Sequence, residues 1–406
     1  MDGHDELIDA ARAETGLDDF GDDSFREGLE VLVRALREEA RLNAGGEAVL
    51  QLVIIGYLGQ RLQIEDWYHR HPEIDDEPID APLIGLGLPR TGSTALSFLL
   101  SEDPKTRSLR RWESARPCPP PSTVDGPDPR IAQTEAEVEL QRQTTPRVLS
   151  LVPTTPTGPF ECQDLMALDF RSQLFQAFAY VPSYSRWLLG ADLTSTYVYE
   201  RRTLKLLQWG APARPWRLKC PTHLLYLEHL DKAFPDARFV MTHRDPTEVI
   251  LSVADVYAEV SRMFTDGIDP VYLGELNVEH WSVGMQRALA FRDAGADARF
   301  YDIDFRAMQR DPIGEVQGLY RWLGEPISDE FEQGMRRWWK QNAESRQEHE
   351  RPDPEVYGID FDRVRPLFAD YTARMSQWTR PRDETQRSPG RTSGRAERSR
   401  PDEEAR

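Results

Sequence analysis

The sequence predicts an α/β fold, a parallel sheet wrapped by helices, and three observations carry that expectation. Residues 82–100, PLIGLGLPRTGSTALSFLL, read as a buried strand, a glycine-bounded loop and a helix start. Three further strand candidates, RPWRLK, DARFVMTH and ADARFYDIDF, are each followed by a helical pattern, so strand and helix alternate. Asp245-Pro246-Thr247-Glu248 marks a helix start directly behind one of those strands: Asp stands at the N-cap, Pro at the first helical position and Glu three residues after the cap. A chain of 406 residues is long enough for one large α/β domain with an attached helical region.

Residues 1–79 read as an N-terminal helical region. In FREGLEVLVRALREEARL, Leu29, Leu32, Leu36 and Leu42 fall near one helix face, which suits covering the sheet or forming a subunit contact. The longest apolar run, VLQLVIIGYLG at 49–59, is too short to span a bilayer. Residues 80–330 form the expected catalytic core. Within it, proline density rises between 114 and 160, which favours stiff extended connections around a helix near 131–143, of the kind that form lids or acceptor-site walls. The aromatics that follow, from Phe160 through Phe170, Phe175, Phe178, Tyr184 and Trp187 to Tyr199, are expected mainly in the core. After Trp216-Arg217-Leu218-Lys219, Cys220-Pro221 should turn the chain into a helix capped by Thr222. Residues 331–380 read as a C-terminal helical region packing on the core. Residues 381–406, with almost nothing apolar to bury, read as a disordered tail.

The net charge of −19 argues against general affinity for nucleic acid or anionic membranes. Cations that bind an anion must therefore be placed locally. Arg outnumbers Lys about nine to one, so Lys219 at a strand end is more noticeable than any single Arg. Cys118, Cys162 and Cys220 show no paired or metal-site spacing and are expected as small buried residues in a reducing compartment. The acidic N-terminus lacks the order of a secretion signal, and a cytoplasmic location is expected.

Gly87 to Gly92 has the four-residue gap of a P-loop, in which backbone curls around phosphate oxygens and the next helix presents its free N–H groups. The lysine of nucleotide triphosphatases is missing. Ser93 and Thr94 stand where G-x-x-x-x-G-K-[ST] needs Lys and the hydroxyl residue, and Arg90 is the cation of the loop. An anionic nucleotide is expected, without chemistry at a magnesium-bound γ-phosphate.

The string Pro89-Arg90-Thr91-Gly92-Ser93-Thr94 resembles the P-[KR]-[ST]-G-[ST]-[ST] loop of sulfotransferases, and ARFVMTHRDPTEVILS resembles their 3′-phosphate element, with Ser252 eight residues after Arg244. The resemblance covers roughly residues 80–330 and is nearest the bacterial branch that shares loop features with tyrosylprotein sulfotransferases. It implies 3′-phosphoadenosine 5′-phosphosulfate (PAPS) as sulfuryl donor and no metal. Arg90, Thr91, Gly92, Ser93 and Thr94 would hold the 5′-phosphosulfate, and Arg244 and Ser252 the 3′-phosphate. Lys219, at the matching K-x-P position, would contact the donor near the reacting group; its strand end should also face the same crevice as Arg90. Glu113 in RSLRRWES lies at about the separation where that branch carries its base, with Glu161 and His223 as rivals. Of the neighbouring Arg110 and Arg111, alternation points only one the same way. Where the family often has the tyrosine of Tyr-x-Asp-Leu, this chain has Phe305, so that hydroxyl is absent or supplied by Tyr301.

The resulting expectation is transfer of a sulfuryl group to a hydroxyl or amine of a small-molecule, glycan or lipid acceptor, with Arg90, Lys219 and Glu113 as catalytic groups. Two other readings stand beside it. A P-loop kinase would need the missing Lys and an acidic strand end for magnesium. A non-catalytic nucleotide-binding scaffold would leave Glu113, Glu161 and His223 all outside the crevice. The acceptor and the oligomeric state are not readable from the sequence.

Overall fold

The computed structural model describes residues 1–345 and 351–378. The expected tail at 381–406 lies outside the described residues. Five short strands, β1 (Leu83–Gly87), β2 (Arg107–Ser108), β3 (Trp216–Lys219), β4 (Arg238–His243) and β5 (Phe300–Asp304), form one sheet in the order β2-β3-β1-β4-β5. Every pairing is parallel. The three strand candidates of the sequence are β3, β4 and β5, each trimmed to its apolar centre.

Alternation along the strands divides the core in two. Ile84, Leu86, Phe239, Met241 and Phe300 join the larger cluster on one face, whereas Leu83, Val240, Tyr301 and Ile303 join a smaller one on the other. β1 is buried throughout, as a central parallel strand covered on both faces must be.

The N-terminal region comprises three helices, His4–Thr15, Phe25–Glu38 and Ala44–Arg70. Leu29, Leu32 and Leu36 are buried on the second, as the spacing predicts, but the helix stops at Glu38 and Leu42 lies in the following connection. Asn43 caps the third helix by accepting from Gly46 N–H at 2.7 Å. These helices pack on the aromatic stretch: Tyr57 donates to Asp164 at 3.0 Å and Phe25 lies against Phe170. Among the described residues no helix is long and apolar enough to cross a membrane.

The proline-rich stretch holds the helix Pro129–Thr144 and a short one, Pro146–Leu151, docked through Arg147 onto Asp255 at 3.2 Å and Glu259 at 3.3 Å. Phe170, Phe175, Tyr184, Tyr197 and Tyr199 are core residues. Asp245 caps the helix Pro246–Ser261 by accepting from Thr247 N–H at 2.8 Å. The Thr222 cap does not form. Cys220-Pro221 instead opens a 3₁₀ turn, Pro221–Leu225, and Thr222 donates from inside it to Gln173 at 2.7 Å. The α-helix Leu227–Ala233 begins only after that turn.

Beyond residue 328 lie helices Asp329–Ser345, Phe361–Leu367 and Ala369–Trp378. Phe331 and Met335 enter the smaller core cluster. Tyr371 reaches the end of β4, 3.2 Å from His243 Nδ1.

Candidate active site

The carboxyl ends of β3, β1 and β4 lie side by side at the centre of the sheet. The chain leaves β1 toward β2, returns as β3, then crosses to β4, so the topological switch flanks β1. Of the residues singled out from the sequence, these ends carry the loop with Arg90 after β1, Lys219 at the end of β3 and Arg244 just past β4. After β1 comes the loop, in which Gly87 and Gly92 adopt φ of 129° and 90°. A Cβ on Gly87 would fall 2.6 Å from the Thr242 carbonyl, so the position requires glycine. Arg90 is also left-handed, at φ 62°, and its side chain reaches Ser252 on the helix Pro246–Ser261. Helix Ser93–Leu100 starts at Gly92 without a side-chain cap, which leaves its first-turn N–H groups available to an anion.

Two segments far apart in sequence meet at Arg90. Its Nε donates to Ser252 Oγ at 3.2 Å, and Arg244 Nη1 donates to the Arg90 carbonyl at 3.1 Å. Arg90 also donates to the Leu151 carbonyl, which draws the proline-rich segment over the loop. Burial, followed by the like charge of Arg244, lowers the Arg90 pKa. Arg244 is itself paired with Glu248 at 2.9 Å, and two arginines brought close together in a strongly acidic chain form a local concentration of positive charge suited to an anion.

Thr91 turns inward: its hydroxyl donates to the Leu88 carbonyl at 2.7 Å and lies 2.6 Å from Thr242 Oγ1. Its side chain thus fixes the loop to β4, and only its backbone amide remains for a ligand. Phe305 lies under the Arg244 guanidinium, 4.6 Å from ring centroid to Cζ, and against Gly92. It keeps the place of the expected tyrosine and loses the hydroxyl. Tyr301 does not replace that hydroxyl, because β5 directs it to the opposite layer, against Gly318 and Trp322.

Lys219 reaches the crevice from the end of β3. Its Nζ lies 3.4 Å from Thr94 Oγ1 and 2.5 Å from Glu161 Oε1. Glu161 is brought there by a short antiparallel contact: Phe160 N–H donates to the Leu109 carbonyl at 2.8 Å, Arg111 N–H to the Gly158 carbonyl at 3.0 Å, and Cys162 N–H to the Lys219 carbonyl at 3.4 Å. Asp255 and, after it, Glu161 are the carboxylates that act on Arg90, and Glu161 also acts on the buried Tyr257 hydroxyl, whose pKa is raised by burial first and by that charge second.

The carboxylate of Glu113 is committed elsewhere. It accepts from Arg107 Nη2 at 2.7 Å and from Arg110 N–H at 2.9 Å, closing the first turn of the helix Arg111–Ala115. Arg107 stacks over Trp216 at 4.7 Å, at the start of β3 and not its end. Arg110 turns to the Thr157 carbonyl, and Arg111 to the Phe160 ring and Asp164. Substituting Gln for Glu113 is expected to cost about 1–3 kcal/mol, because a buried charge-assisted contact to Arg107 is lost. Denaturant unfolding reads this, and an unchanged midpoint would contradict the capping role. His223 is fully buried behind the turn, 3.0 Å from the Tyr197 hydroxyl, and burial lowers its pKa to about 3.

A sequence model described as the sulfotransferase family matches residues 82–329, from β1 to beyond the helix that follows β5. The chain belongs to the sulfotransferase family. Among solved structures, sulfotransferase STF9 from Mycobacterium avium is similar at 32% identity and a TM-score of 0.85, covering 92% of this chain and 97% of that one. Sulfotransferase STF1 from Mycobacterium tuberculosis is similar at 32% identity and a TM-score of 0.79, covering 90% of this chain and 98% of that one. No curated protein sequence matches.

As a sulfotransferase the chain departs from kinase chemistry at named positions. Asp245 and Asp304, which end the Arg-Asp step after β4 and β5 itself, are helix caps, accepting from Thr247 N–H and Ala307 N–H at 2.8 and 2.9 Å. Two features of this sulfotransferase site had no signal in the sequence: the Leu151 carbonyl on Arg90 and the Thr91–Thr242 contact. Both join backbone segments whose approach only the folded chain defines.

Proposed function

We propose that this chain transfers a sulfuryl group from PAPS to a hydroxyl or amine of a small-molecule, glycan or lipid acceptor, in the cytoplasm and without a divalent metal. The observation that carries the reading is the convergence of Arg90, Arg244 and Ser252 on one cradle. Two phosphate groups at opposite ends of one nucleotide fit that donor set. Arg90 with the first-turn amides of Ser93 and Thr94 would hold the 5′-phosphosulfate, while Arg244 and Ser252 would hold the 3′-phosphate. Bound PAPS would supply the sulfuryl group and leave as 3′-phosphoadenosine 5′-phosphate.

Lys219 and Arg90 keep positive charge beside the loop, where it can offset charge developing on the 5′-phosphate. Glu161 is the base we favour over Glu113. Its carboxylate faces Lys219 and Arg90 across the crevice, whereas Glu113 has both oxygens engaged in capping and an ion pair. Its Oε atoms would take the proton of the acceptor hydroxyl. The scaffold reading, which needs all three base candidates outside the crevice, is disfavoured by the position of Glu161.

The test is ligand-dependent stability. A ligand that binds only the folded chain stabilises it by about 2.7 kcal/mol at a hundredfold excess over Kd. 3′-Phosphoadenosine 5′-phosphate should therefore raise the melting temperature in the presence of a chelator. A shift with magnesium ATP and none with the bisphosphate would sink the reading.

A further inference from the structure

We propose that Tyr371, on the C-terminal helix Ala369–Trp378, is a positioning residue for Arg244 and thereby sets how strongly the chain distinguishes a nucleotide that carries a 3′-phosphate from one that lacks it. The inference rests on the proposed assignment of Arg244 to the 3′-phosphate. It goes beyond that assignment because the helix lies past residues 82–329, the stretch that the family model matches.

The helix is fastened where β4 and β5 end. Arg374 pairs with both oxygens of Asp293, each contact at 2.6 Å. Trp378 packs on the Arg292 guanidinium at 3.8 Å and on the His243 ring at 5.3 Å between centroids. Arg292 in turn grips Asp302 of β5 through two hydrogen bonds, at 2.7 and 2.9 Å, and Asp302 faces His243 Nε2 at 2.8 Å. Against burial, the hydrogen bonds from Arg292 and His243 hold the Asp302 carboxyl well below the usual carboxylate range, so Asp302 accepts and Nε2 carries its hydrogen. The other ring nitrogen, Nδ1, lies 3.2 Å from the Tyr371 hydroxyl. That hydroxyl also donates to the Arg244 carbonyl at 3.4 Å. One buried oxygen therefore ties down the side chain of residue 243 and the backbone of residue 244. With Nδ1 protonated, Tyr371 accepts from it and donates to the carbonyl; with Nδ1 bare, the two acceptors share the hydroxyl hydrogen. Loss of the hydroxyl releases both contacts in either arrangement.

What Tyr371 fixes is the root of the Arg244 arm. Arg244 stands in the two-residue step between β4, which ends at His243, and the helix that begins at Pro246. Its guanidinium is set by the Arg90 carbonyl, Glu248 and the Phe305 ring, whereas Tyr371 holds the backbone from which the arm springs. A planar fork recognises phosphate oxygens by direction as well as by charge, so a shift at its root is felt at the phosphate.

Calorimetric titration of the full chain with 3′-phosphoadenosine 5′-phosphate and with adenosine 5′-phosphate, which differ by the 3′-phosphate alone, tests this without turnover. Tyr371→Phe keeps the ring and removes the hydroxyl. It should weaken the bisphosphate roughly threefold to tenfold, as loss of one hydrogen bond does, and leave the monophosphate within about twofold of the natural affinity. Because Tyr371 acts through Arg244, the same change added to Arg244→Ala should cost no further bisphosphate affinity. Tyr320→Phe removes another buried hydroxyl, the one bonded to Asp103 at 2.7 Å, and should keep the natural ratio of the two affinities. A natural preference for the bisphosphate that survives intact in Tyr371→Phe would overturn the inference alone. So would equal weakening of both nucleotides, an additive loss on Arg244→Ala, or the same fall in ratio from Tyr320→Phe, each of which describes a side chain that only stabilises the fold. A natural chain that binds the two nucleotides equally would overturn the donor reading and this inference with it.

Discussion

Glu161→Gln is expected to lower the sulfuryl-transfer rate by roughly 10²- to 10⁴-fold while leaving affinity for 3′-phosphoadenosine 5′-phosphate close to that of the natural chain. The substitution preserves size and removes basicity. It also removes the charge opposite Lys219 Nζ, 2.5 Å away, so donor affinity should if anything increase, because the lysine is released toward the anion. Single-turnover measurement at saturating donor separates the two effects. Glu113→Gln, run in parallel, should lose stability and keep the transfer rate. A large rate loss in the Glu113 variant with near-normal turnover in the Glu161 variant would exchange their roles.

Arg90→Ala should reduce both donor affinity and the bound chemical step, the latter by roughly 10²- to 10³-fold, as removal of one preorganised donor at a developing charge does. Arg90 is half-buried, is electrostatically opposed by Arg244, and is held by Ser252 and the Leu151 carbonyl, so its fork is fixed before any ligand arrives. Arg244→Ala should act mainly on affinity, by about 1.5–3 kcal/mol, the usual worth of a hydrogen bond to a charged group. The 3′-phosphate is remote from the sulfur and contributes to ground and transition states alike. Equal rate losses for the two variants at saturating donor would contradict this division. Arg244→Lys adds a control: it keeps charge but loses the donor on the Arg90 carbonyl and the stacking on Phe305.

The two glutamates illustrate how legibility divides. Position after the loop favours Glu113, yet Glu113 also stands three residues after Arg110, the spacing at which a glutamate folds back on a helix N-terminus. That local signal was readable and describes what the side chain does. Glu161 carries no comparable mark. It reaches the crevice because Phe160 pairs with Leu109 and Cys162 with Lys219, contacts that no spacing rule anticipates. Tyr301 and Phe305 divide in the same way. Strand alternation sends Tyr301 into the layer of Gly318 and Trp322, and the helix start after Asp304 brings Phe305 back beside Gly92.

By itself the sequence determined the alternation of strand and helix, the glycine-bounded loop with Arg90, the Asp245 cap and the lysine at the end of β3. Each depends on residues within a few positions of one another, where backbone sterics and short-range hydrogen bonds decide. Only the tertiary structure decided which carboxylate faces which cation. Lys219 and Glu161 are 58 residues apart, and Arg90 and Ser252 are 162 apart. The partner of a buried charge is chosen by the desolvation it suffers once the layers close, and that quantity does not exist until the whole core has packed.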